Sequence, residues 1–91
     1  MRLTVRQRQL LELMRSGEDC IEERRGVWVG EEQTNVATLL FFLRHCLVSE
    51  IENPGGLRMY EINGWGERAL VDESFDPAAE LTRAARAAEG E

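Results

Sequence analysis

The sequence predicts a small α+β domain, and three observations lead there. The stretch from Thr34 to Val48, TNVATLLFFLRHCLV, has the character of a helix, with an unbroken apolar run from Leu39 to Leu43. It feeds SEIENPGGLRMYEIN, two extended segments around a Pro/Gly turn, which is a β-hairpin signature. With 91 residues, 43% hydrophobic and 31% charged, the chain can bury one modest core and is globular in composition.

Each element has its own local signals. Thr4 is a good N-cap, and Gln7 three residues on completes a capping box. The first helix then runs to about Ser16, with Gly17 suited to the C′ position. Gln7, Leu10, Leu11 and Met14 share one face, and the three apolar residues are its buried part. Arg2, Arg6, Arg8 and Arg15 lie elsewhere, either as a solvated face or as contacts to backbone phosphate.

Residues 18–30 admit two readings. Asp19-Cys20-Ile21-Glu22 can open a short helix that stops at Gly26. Alternatively, Cys20–Arg24 and Val27–Val29 form a hairpin turning at Arg25-Gly26. The β-branched and aromatic run Val27-Trp28-Val29 favours the hairpin.

Glu31 and Glu32 lead into the central helix, with Thr34 or Asn35 as its N-cap. Two acids there would suit the helix dipole. The helix is apolar almost all round, so its buried side is ambiguous. A helical wheel groups Val36, Leu39, Leu40, Leu43 and Leu47, leaving Phe41, Thr38 and His45 opposite. An alternative turns Leu39, Phe42 and Cys46 inward and leaves Leu40, Leu43 and Arg44 outside.

Beyond the helix, Ser49–Ile51 and Arg58–Ile62 are strands around Asn53-Pro54-Gly55-Gly56. Asn63 caps a helix through about Val71, with Trp65 and Leu70 as packing residues. Asp76-Pro77 starts an Ala-rich helix to about Ala88, whose only large apolar side chain is Leu81. The expected organisation is a domain over 1–72 and an acidic Ala-rich helix or tail over 73–91.

Charge sets limits on function. The net charge is −6, and all 11 basic residues are arginine. Residues 71–91 hold 2 Arg against 6 acids, whereas the first 16 residues hold 4 Arg against 1 Glu. A sequence pI near 4.8 is far from the basic signature of most nucleic-acid-binding domains. No run approaches the roughly 18 apolar residues of a membrane span, and Arg6, Arg8 and Glu12 interrupt any signal-peptide core. The expectation is a cytoplasmic protein without membrane contact. Cys20 and Cys46 lie in apolar stretches as free thiols rather than a disulfide framework.

The sequence does not suggest an enzyme. His45 is the only histidine, and no elbow or triad pattern surrounds it. Cys20, His45 and Cys46 lack metal-site spacing and a fourth ligand, so neither a metal nor a cofactor is expected.

The segment HCLVSEIENPGGLRMYEINGWGERAL resembles the closing part of winged helix-turn-helix domains, especially small phage or prophage ones and bacterial regulators. The pattern covers Leu3 to Leu70. It implies a three-helix core with a C-terminal β-hairpin wing, here with a possible extra N-terminal hairpin and a C-terminal helix. It implies a DNA-binding transcription regulator. Thr34, Asn35, Thr38 and His45 would reach bases, while Arg44, Asn53 and Arg58 would touch backbone or minor groove, with Arg2, Arg6 and Arg8 as further phosphate contacts.

A second class stays open beside duplex DNA binding. On the same scaffold the chain could be a protein-interaction module: a phage accessory or inhibitor protein, or an acidic DNA mimic. Leu40, Phe41, Phe42, Leu43 and Leu81 would then meet a protein partner. A homodimer is the expected assembly, because an all-apolar helix in so short a chain needs a cover.

Overall fold

The computed structural model describes residues 1–53 and 55–89. Pro54, part of the predicted turn signal, lies outside the described residues. Over these residues the chain is an α+β domain with four helices and one antiparallel five-stranded sheet. In order, these are α1 (Val5–Arg15), β1 (Cys20–Glu23), β2 (Gly26–Val29), β3 (Glu32–Thr34), α2 (Val36–Arg44), β4 (Val48–Ile51), β5 (Arg58–Ile62), α3 (Gly64–Val71) and α4 (Pro77–Glu89). The strands lie in the order β3-β2-β1-β5-β4.

α1 begins as its sequence dictates. The Thr4 hydroxyl accepts from the Gln7 amide, and the Gln7 side chain accepts from the Thr4 amide. It ends where Gly17 takes a positive φ of 119°, and the Glu18 amide returns to the Leu13 carbonyl. Leu10, Leu11 and Met14 face the core.

Residues 18–30 resolve as the hairpin. Cys20 pairs with Val29 and Glu23 with Gly26, so the turn is Arg24-Arg25, one residue earlier than expected. The chain then adds a strand that the sequence reading did not include. Glu32–Thr34 pairs with Val27–Val29 as β3. Glu31 and Glu32 therefore do not sit in the first turn of α2, which carries no acid, and the expected dipole contribution is absent. Asn35 is the α2 N-cap; its side-chain oxygen accepts from the Thr38 amide and hydroxyl.

The alternative is met in part: Leu39 and Phe42 turn inward and Leu40 and Arg44 outward, but Cys46 is only half-buried and Leu43 packs against the core. α2 closes with Cys46 at a positive φ of 59°. The Leu47 amide reaches back to the Phe42 carbonyl, and the Cys46 amide to that of Leu43. Both Phe42 and Leu47 are fully buried, so the stop that ends the helix is also packed.

β4 and β5 pair from Val48↔Ile62 to Ile51↔Met59. Asn63 then joins three elements. Its side-chain amide donates to the Cys46 carbonyl and the Ser49 hydroxyl, its carbonyl oxygen caps α3 at the Gly66 amide, and its own amide donates to the Leu47 carbonyl. A Cβ on Gly66 would lie 2.2 Å from the Leu47 carbonyl oxygen, so only glycine lets α3 approach this closely.

The core gathers Leu10, Leu11, Met14, Cys20, Val27, Val29, Leu39, Phe42, Leu47, Tyr60 and Leu70 on the helix-covered face of the sheet. Packing continues past residue 72. Phe75 and Pro77 are buried, Trp65 meets the Phe75 ring edge-on, and the Arg68 guanidinium lies 4.5 Å from its centroid. Beyond Pro77, α4 leaves the body, and among residues 78–86 only Glu80 is even half-buried.

Candidate functional site

The α2–β4–β5 region that the sequence singles out presents two surfaces. On α2, Val36 and Leu40 lie one turn apart and are 49% and 51% exposed. Ala37, Leu40, Phe41 and Arg44 line a shallow depression beside them. The Phe41 ring packs against His45 at 4.5 Å, which leaves both half-buried. On the hairpin, Glu50, Glu52 and Glu61 are exposed against one exposed arginine, Arg58.

Several residues expected at a nucleic acid are committed within the fold. Arg6 pairs with Glu32 at 3.2 Å and donates to the Gln33 carbonyl, fastening α1 to β3. Arg8 donates to the Leu70 carbonyl at 2.7 Å, joining α1 to α3. Thr34 is half-buried in β3. The Asn35 side-chain oxygen is occupied by the cap, and Thr38 completes it. Asn53 accepts from the Gly55 amide and donates to the Leu57 carbonyl, holding the hairpin turn. Arg2, Arg15, Arg44 and Arg58 are exposed and make no ion pair or side-chain hydrogen bond among the described residues.

The apolar candidates divide differently. Leu40 and Leu81 are open to solvent. Phe41 and Leu43 are half-buried and rest against the core. Phe42 is 1% exposed, which corrects its assignment to a partner surface. A helix apolar all round gives no periodic sign of its inner face, and tertiary packing turns Phe42 to the core.

The sheet holds a surface that the sequence reading did not find. Cross-strand register places Gln33, Trp28, Ile21, Met59 and Ile51 in one row, one residue from each strand. This row alternates with core residues such as Cys20, Val29 and Tyr60, so it lies on the opposite face. Trp28, Ile21, Met59 and Ile51 are half-buried and belong to neither the core nor the side chains packed on it. The continuous run Val27-Trp28-Val29 carried the signal, since a strand apolar on both sides expects cover on both.

The two cysteines sit in different settings. Burial, with Glu22 adding to it, pushes the Cys20 thiol from its ordinary value up to about 11. Cys46 is half-buried at the end of α2. Among the described residues, no group of three or more His, Cys, Asp or Glu side chains could hold a metal ion, and no helix is long and apolar enough to cross a membrane.

No protein-family model, curated protein or solved structure matches the chain.

Proposed function

We propose that the chain is a protein-interaction module on a winged-helix-like scaffold, with the solvent face of α2 as its docking surface. The observation that carries this reading is the character of that face. Val36, Ala37 and Leu40 occupy it with a single arginine, where a groove-reading helix would carry polar and basic side chains. Its surroundings agree. The hairpin beside it carries three exposed glutamates to one arginine, and Arg6 and Arg8 are held by Glu32 and by carbonyls. Three strands stand between α1 and α2, where a helix-turn-helix has its second helix.

A DNA-binding reading rests on a different observation: Arg2, Arg15, Arg44 and Arg58 remain unpaired among the described residues. A fluorescence titration against duplex fragments near 50 mM salt separates the two, because non-specific attraction is strong there. The expected result is no binding by the full chain. Binding that falls with salt, and is lost in the Arg44→Ala/Arg58→Ala double variant, would turn the assignment to DNA. In source cells, a photo-crosslinker at Ala37 should trap one discrete protein adduct. That adduct should vanish with Leu40→Asp and survive Glu67→Gln on α3.

A further inference from the structure

The sheet has two apolar faces, and the described residues cover one. The outer row of Trp28, Ile21, Met59 and Ile51 crosses four neighbouring strands as direct cross-strand neighbours. Glu23 lies two residues from Ile21, and Glu61 two residues from Met59. Both are therefore on this outer face, exposed, and flank the apolar row.

α4 is the second such element: residues 78–86 leave all but Glu80 exposed. It is anchored at buried Pro77 and then runs into solvent. Ala78, Leu81 and Ala85 fall on one side at helical spacing, with Arg86 at the margin of that stripe. A helix of 13 residues is marginal in water without tertiary packing. Its length, about 20 Å at 1.5 Å per residue, matches the span of a five-strand row at about 4.8 Å per strand.

We propose that α4 of one copy lies across the outer sheet face of a second copy, and the reverse, in an arm-exchanged dimer. The small side chains of α4 let the helix approach closely over Trp28 and Met59. Leu81 supplies the large apolar contact, and Arg86 is carried towards the glutamates beside the row. The same charges disfavour a sheet-against-sheet pair, which would set Glu23 and Glu61 of both copies against each other. Two-fold exchange makes the contact twice, so each arm and each sheet face is covered once.

The inference does not depend on what α2 binds, and its test keeps the two apart. The full chain is followed by sedimentation equilibrium over the micromolar range. Isotope-filtered NOE spectra are then recorded on a mixture of labelled and unlabelled chains. A dimer with intermolecular NOEs between Leu81 or Ala85 and Ile21, Met59 or Trp28 supports the proposal. Leu81→Asp and Ile21→Glu should each weaken the dimer at least tenfold, whereas Leu40→Asp leaves it unchanged. A full chain that stays monomeric at high micromolar concentration overturns the proposal. So do intermolecular NOEs that fall on Val36 and Leu40 instead.

Discussion

α1 and α4 are helices of similar length, 11 and 13 residues, and each starts at a polar cap. Thr4 caps the first, and the Asp76 carboxylate accepts from the Ala78 amide at the start of the second. Their fates differ. α1 buries Leu10, Leu11 and Met14, and two of its arginines fasten it to β3 and α3. α4 exposes Leu81 and both Arg83 and Arg86. Caps and propensity decide that a helix forms, and apolar spacing decides whether the body keeps it. Three buried side chains hold α1 in place, whereas α4 has one large apolar side chain and alanines.

The largest expected effect tests that contrast directly. Leu10→Ala removes a fully buried side chain and should cost about 2–5 kcal/mol in urea unfolding. That is a large share of the roughly 5–15 kcal/mol that holds a domain of this kind. Leu81→Ala should change the unfolding free energy by less than about 0.5 kcal/mol at concentrations where the chain is monomeric. Equal losses at the two sites would show that α4 is part of the cooperative unit.

A smaller effect separates the caps. Thr4→Ala breaks both bonds of the capping box and should lower global stability by about 1 kcal/mol. Asp76→Ala should reduce helical circular dichroism and leave the unfolding midpoint in place, because α4 frays on its own.

Near neutral pH the smallest effect comes from the buried thiol of β1. The Cys20 thiol, held up at about 11, is kept neutral by folding. The unfolded thiol ionises near its ordinary value of 9.0, so stability from this group is constant below that pH and falls between it and about 11. Iodoacetamide at mildly alkaline pH should modify Cys46 well before Cys20. Equal rates would mean that the core opens readily over β1.

Much of the fold was legible because its signals are local. Thr4 with Gln7, Gly17, the cap that Asn63 places on Gly66 and the Asn53 turn are local signals, and they mark the ends of elements where the chain places them. β5 showed its half-buried alternation, with Tyr60 inward. What stayed hidden depends on distant partners. The pairing of β1 with β5 joins residues some forty positions apart and leaves no trace in either segment. β3 is three mostly polar residues that become a strand because β2 offers an edge. Arg6 and Arg8 look like free surface charge until Glu32 and the carbonyls of Gln33 and Leu70 come within reach. The side of α2 that turns inward was ambiguous for a related reason: its composition satisfies either choice, and tertiary packing selects one.

The corner at Asn63 has a mechanical consequence. One side chain ties the end of α2 and the start of β4 to the first turn of α3, where Gly66 leaves no slack against the Leu47 carbonyl. α3 in turn grips Phe75 through Trp65 and Arg68, and Phe75 is the root from which α4 departs. Asn63→Ala would therefore take the side-chain partner from the Cys46 carbonyl and from the Gly66 amide at once, so that the end of α2 and the start of α3 lose one shared anchor.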